Sequence, residues 1–170
     1  MKKKVFYTEL AYIIGLTALA LNAALMERAD FGVSMVVAPA YILHLKISQF
    51  LPFFSFGMAE YTLQAVLLIV MVIVLRKFKM HYLFSFVTAV LYGFILDFFM
   101  MCVSYIPNDV LSVRILLYVS GLALGSIGVS LLFHTYISPE VYELFVKEVS
   151  SGFNINITKF KTAYDCCSCL

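Results

Sequence analysis

Residues 81–106, HYLFSFVTAVLYGFILDFFMMCVSYI, decide how the chain is read. The stretch is long enough to cross a bilayer, because about 20 apolar residues span a hydrocarbon core of about 30 Å. Its only formal charge is Asp97. A carboxylate costs at least about 2.5–3.5 kcal/mol near the centre of a membrane helix, so Asp97 needs a partner or a purpose. Positions four apart share a helix face, and Ser85, Ala89, Gly93 and Asp97 form one such row. Small side chains at that spacing let helices approach closely in lipid. The row, with Asp97 at its end, is therefore expected to face the bundle interior.

The rest of the chain has the same character. Of 170 residues, 63% are hydrophobic and only 13% charged, and mean hydropathy is +0.97. A soluble domain carries about a quarter charged residues. Long apolar runs alternate with short polar clusters, the pattern of an all-α, polytopic helical membrane protein. Porin-type alternation is not seen. The net charge of +2 comes from lysines at the ends of apolar runs, not from a basic stripe, so nucleic acid is not expected as a partner. The partners expected are membrane lipids, a small solute or proton, and a second copy or another membrane protein.

Working outward from the opening stretch, four full spans are expected: Val5–Met26, Gly57–Leu75, His81–Ile106 and Arg114–Tyr136. The start could pass for a secretory signal, but its apolar run exceeds a signal core, and we read it as a retained first span. The segment 34–50 carries Pro39, His44 and Lys46 and is expected to be re-entrant or interfacial. Lys2–Lys4 and Arg76–Lys79 should both be cytoplasmic, which requires an even number of crossings between them. That places the N-terminus inside, and Lys147, Lys159 and Lys161 fall on the same side. An amphipathic segment, 139–153, precedes a final apolar start at Thr162–Leu170, which is expected to be a short or truncated fifth span.

An internal repeat is visible within this single transmembrane domain, 1–170. Tyr12-Ile13-Ile14-Gly15-Leu16 recurs as Tyr118-Val119-Ser120-Gly121-Leu122. After each comes a span, a polar turn (Phe31–Ser34; Ile137–Glu140), a segment that need not cross, and a new apolar run. Three crossings separate the starts, so the units at about 5–75 and 114–170 are inverted, with 81–106 as linking span. Many secondary transporters share that plan.

The candidate binding residues are Asn22, Arg28, Glu60, Asp97, Tyr164 and Asp165. Asn22 shares a face of the first span with Ala11, Gly15 and Ala18, and the fourth span offers the small pair Gly121 and Gly125. Intramembrane acids such as Glu60 and Asp97 either hydrogen-bond neighbouring helices or bind protons and cations. Arg28, between Glu27 and Asp30, reads as a salt-bridged turn, or as an anion contact beside a half-helix beginning near Ser34.

No protease, phosphate-loop or nucleophile-elbow motif appears, so no enzyme activity, catalytic residue or cofactor is expected. Cys166, Cys167 and Cys169 lack a partnering His at metal-ligand spacing, so no metal site is expected. The terminal CSCL has the bare shape of a prenylation signal but lacks aliphatic middle residues, and we read it as coincidence.

ALMERADFGVS (24–34), LYGFILDFFM (91–100) and PEVYELFVKEVSSGFNINITKFKTAYD (139–165) resemble the YczE/YyaS/YitT group of bacterial integral membrane proteins. The resemblance covers essentially the whole chain. It implies about five spans, a bacterial plasma membrane and a largely uncharacterised function for which transport is the usual expectation. Arg28, Asp97, Lys161, Tyr164 and Asp165 are its family-like residues. Relatives continue past Tyr-Asp with a complete apolar span. The expected function is a small-solute transporter or substrate-binding protein with an intramembrane carboxylate site. The alternative is a non-transporting scaffold or partner subunit, served by the glycine pair and Ala20/Ala24, including a vitamin-binding subunit of an energy-coupling transporter.

Overall fold

The apolar runs become helices with identifiable stops. In a computed structural model, which describes residues 8–34, 36–76, 79–133, 135 and 141–168, the order is α1 (Thr8–Ala29), α2 (Ala38–Ile47), α3 (Phe56–Leu75), α4 (Met80–Ser104), α5 (Leu111–Phe133), α6 (Val141–Gly152) and α7 (Ile157–Ser168). Four of the described helices, α1, α3, α4 and α5, are long and apolar enough to cross a membrane. Lys2–Lys4, Val5, Lys77, His134, Tyr136, the turn Ile137–Glu140 and Cys169 lie outside the described residues.

Local chemistry sets the ends. Ser55 N-caps α3, its hydroxyl accepting the Met58 N–H at 3.1 Å. Pro39 does not break the 34–50 segment. It sits in the first turn of α2, where its missing N–H costs nothing. The ten residues of α2 make about 15 Å of helix, half of a hydrocarbon core. Beyond α6, Asn154 takes a left-handed φ of 53°, and Asn156 Oδ1 accepts the Thr158 N–H at 3.0 Å. That asparagine cap starts α7 at Ile157, earlier than the apolar run at Thr162 predicts.

The helix α1 is the central one. It lies antiparallel to α5, with α4 on another side, and buries Ala11, Gly15, Leu16, Ala18, Ala20, Ala23, Ala24 and Ala29. Lipid offers helices no hydrophobic gain on association, so close contact must come from small side chains. A Cβ at Gly128 would stand 3.0 Å from the Gly15 carbonyl oxygen, and one at Gly125 2.7 Å from Asn22 Nδ2. The glycine pair and Ala20/Ala24, offered by the sequence as partner-binding surfaces, are thus consumed inside the chain's own bundle.

Two apolar clusters form along α3 and α4. One gathers Leu16, Ala20, Ala24, Phe56, Tyr92, Leu96 and Leu117 from α1, α3, α4 and α5, with Ala40 of α2. The other joins Met71, Tyr82, Leu144 and Val149, with Leu75, Phe145 and Phe160 packed against it. Phe94, Phe98, Ile69 and Ile73 point outward, as lipid-facing side chains should.

Candidate functional site

Between the two clusters lies a polar layer. On α3 it consists of Glu60 and Gln64, four residues apart on one face, and on α4 of Ser85 and Thr88; all four are buried. Gln64 is about 12 Å along α3 from Phe56 and about 16 Å from Leu75, near the middle of the span. The Gln64 amide donates to Glu60 Oε1 at 3.1 Å, while its carbonyl oxygen accepts the Val141 N–H at 3.2 Å. Val141 is the first described residue of α6, so the described part of this short helix starts against Gln64. The Gln64 side chain therefore links the Glu60 carboxyl group to the Val141 N–H.

The helix α6 then runs beside the second half of α3. Gly152 reaches Leu75, where a Cβ would stand 2.6 Å from Leu75 Cδ2. Glu148 accepts from Lys79 Nζ at 2.7 Å and from the buried Tyr82 hydroxyl at 2.9 Å. The hydrogen bond from Lys79 lowers the Glu148 pKa below its ordinary value, against the effect of burial. The same hydrogen bond from Lys79 to Glu148 raises the lysine's pKa. On the other side of the layer, the Tyr12 hydroxyl donates to Thr88 Oγ1 at 2.7 Å, tying α1 to α4. Ser85 Oγ is buried without a hydrogen-bond partner among the described residues.

Asp97 faces inward, and the row it ends packs on α3: Gly93 lies against Gly57 in backbone contact. One Asp97 oxygen accepts the Gly57 N–H at 2.7 Å and the other the Ser55 hydroxyl at 2.6 Å. Ser55 and Asp97 thus divide the first-turn donors of α3 between them, which satisfies N–H groups that no helix can satisfy internally.

The remaining candidates sit elsewhere. Asn22 packs on Gly121 and Gly125 of α5, its Oδ1 buried and unpartnered among the described residues. Arg28 does not bond to the acids flanking it. Its Nε and Nη2 donate to the Ile106 carbonyl at 2.9 and 2.6 Å, closing the end of α4. Asp30 is held by Arg114 instead, at 3.1 Å, and Arg114 also donates to the Ala29 carbonyl and stacks on Phe31 at 4.8 Å. Tyr164 lies against Phe145, with ring centroids 5.9 Å apart, and Asp165 follows it on α7, half-buried. The six residues therefore occupy separate contacts: α1–α5, α1–α4, the polar layer, the α3 cap and α6–α7. A hollow of about 280 Å³, lined by Ile13, Ile14, Thr17, Ala18, Leu21 and Leu124, is apolar and borders none of them.

Sequence reasoning missed Gln64, Arg114 and the Lys79–Glu148–Tyr82 group. Gln64 carried a signal, since it follows Glu60 by four residues and so shares its face. Arg114 carried one too, as a basic residue in the first turn of a span that must close near the acidic turn at Glu27–Asp30.

These features define a polytopic helical membrane protein whose core holds buried polar and charged side chains. The chain belongs to a family of unknown function, DUF6198, whose model matches residues 6–170. No curated protein and no solved structure matches it.

Proposed function

We propose that the chain is a small-solute transporter or substrate-binding protein of a bacterial inner membrane, multi-pass with its N-terminus in the cytoplasm. Its carboxylate site is Glu60 in the polar layer, and its chemistry is binding and passage rather than catalysis. The observation that carries this reading is Glu60, buried one turn into α3 and hydrogen-bonded to Gln64, which also accepts the Val141 N–H of α6. Intramembrane acids are expensive, and an acid joined through Gln64 to the backbone of a second helix keeps polarity in the bundle that packing alone does not require. Asp97 holds α3 in place, and α2 and α6 are the two non-crossing half-helices.

The inverted-repeat architecture is supported by the sequence, in which Tyr12–Leu16 recurs as Tyr118–Leu122 at an offset of 106 residues, and the helices that carry the two copies, α1 and α5, pack antiparallel. The motifs at 24–34, 91–100 and 139–165 favour a kinship with the YczE/YyaS/YitT group within this reading.

The test uses proteoliposomes loaded with a pH-sensitive dye under an imposed proton gradient. Protein-dependent proton uptake is expected for the unaltered chain and is expected to be lost in Glu60→Gln. Equal uptake in the two would remove Glu60 from any proton-coupled mechanism.

A further inference from the structure

The two ends of the bundle treat their charges differently. At the end formed by the α1–α2 and α4–α5 turns, both arginines are consumed: Arg28 by the Ile106 carbonyl, and Arg114 by Asp30 and the Ala29 carbonyl. At the other end the second apolar cluster gathers the close of α3, the start of α4, α6 and Phe160 of α7. Arg76, Lys147, Lys159 and Lys161 are exposed there, whereas Glu148 is already engaged by Lys79. The elbow between α6 and α7 adds a second feature. Phe153, Ile155 and Ile157 are 57%, 46% and 48% exposed, in a segment otherwise made of asparagine and threonine.

Exposed apolar side chains beside lysines without an ion pair among the described residues form an interfacial pattern: the rings and branches enter the acyl boundary and the ammonium groups stay at phosphate level. The position of the elbow is fixed, because Phe160 packs on Phe145 with centroids 6.3 Å apart. Lys159 and Lys161 flank that anchored ring, so they are held at the bundle's edge and not on a free tail.

We infer that this end is a docking site for anionic phospholipid. Lys147, Lys159, Lys161 and Arg76 contact the headgroup phosphate, and Phe153, Ile155 and Ile157 lie among the acyl chains. Anionic headgroups attract such clusters by an amount that grows with each added cation. The inference is independent of what the polar layer binds.

The test is native mass spectrometry and thermal unfolding of the full chain in neutral detergent. It is titrated with phosphatidylglycerol, phosphatidylcholine of the same acyl chains, or inorganic phosphate. Phosphatidylglycerol is expected to be retained and to raise the unfolding temperature, with neither effect from phosphatidylcholine or phosphate. Lys159→Gln/Lys161→Gln is expected to weaken that retention by on the order of tenfold or more, while Lys46→Gln, on α2 at the opposite end, leaves it unchanged. Equal retention of both lipids overturns the inference, as does unaltered retention by the double variant. A phosphate effect equal to that of the lipid overturns the lipid assignment.

Discussion

Replacing Asp97 by alanine separates the two roles a membrane carboxylate can have. In the structure its oxygens accept from Gly57 N–H at 2.7 Å and from Ser55 Oγ at 2.6 Å. Hydrogen bonds to charged groups contribute about 1.5–3 kcal/mol each. The Ser55 hydroxyl can rotate to another acceptor, but the Gly57 N–H is buried in the first turn of α3 and cannot. The expected loss for Asp97→Ala is therefore about 3 kcal/mol, roughly a hundredfold in the folded-to-unfolded ratio. Asp97→Asn keeps one acceptor oxygen and should lose about 1 kcal/mol. Reversible unfolding of the purified chain by titrating a denaturing detergent into mild micelles, followed by helical circular dichroism, measures both. If Asp97 served only a ligand, its removal would leave stability unchanged or raise it, as happens when strained functional groups are replaced. Both variants unfolding at the wild-type detergent fraction would refute the capping argument.

Three further outcomes follow from the same contacts. Gly57→Ala places a methyl group against the Gly93 carbonyl and Asp97 and should cost about 1–3 kcal/mol in the same titration, because backbone cannot yield as a side-chain tip can. Gln64→Ala strips Val141 N–H and Glu60 Oε1 of their shared partner and should cost about 2–4 kcal/mol, with faster proteolysis of α6 as a second readout. The docking of α6 should also depend on pH. Glu148 has a lowered pKa, so its contribution is complete above the ordinary value of 4.5 and is lost as pH falls through the lower folded value. Lys79 has a raised pKa, so its contribution is complete below 10.5 and lost as pH rises beyond the folded value. Protection factors in α6, corrected for the intrinsic pH dependence of amide exchange, should be highest between those limits, and Glu148→Gln should flatten both edges.

The spans were legible because their signal is composition, and lipid demands it over a whole helix. Asp97's inward orientation was legible for a similar reason, since Ser85, Ala89 and Gly93 repeat at helical spacing. The partners of the polar groups were not. Periodicity says which face Glu60 and Gln64 occupy but not that Gln64 meets Val141 of α6, a contact 77 residues apart in the chain. Arg28 shows the same limit: its sequence neighbours are acids, yet the turn geometry delivers it to a carbonyl 78 residues away. The start of α7 was misplaced because hydrophobicity was followed to Thr162, whereas the helix is set by the left-handed Asn154 and the Asn156 cap.

In the proposed arrangement α6 begins within the membrane and returns to the side from which the chain came. That is measured by placing single cysteines at Thr135, Val141 and Ser151 in a chain whose native cysteines are serine, and labelling vesicles with a membrane-impermeant maleimide. Thr135→Cys and Ser151→Cys are expected to react from the same face, with Val141→Cys protected from both. Labelling of positions 135 and 151 from opposite faces, or of position 141 as fast as 151, would contradict it.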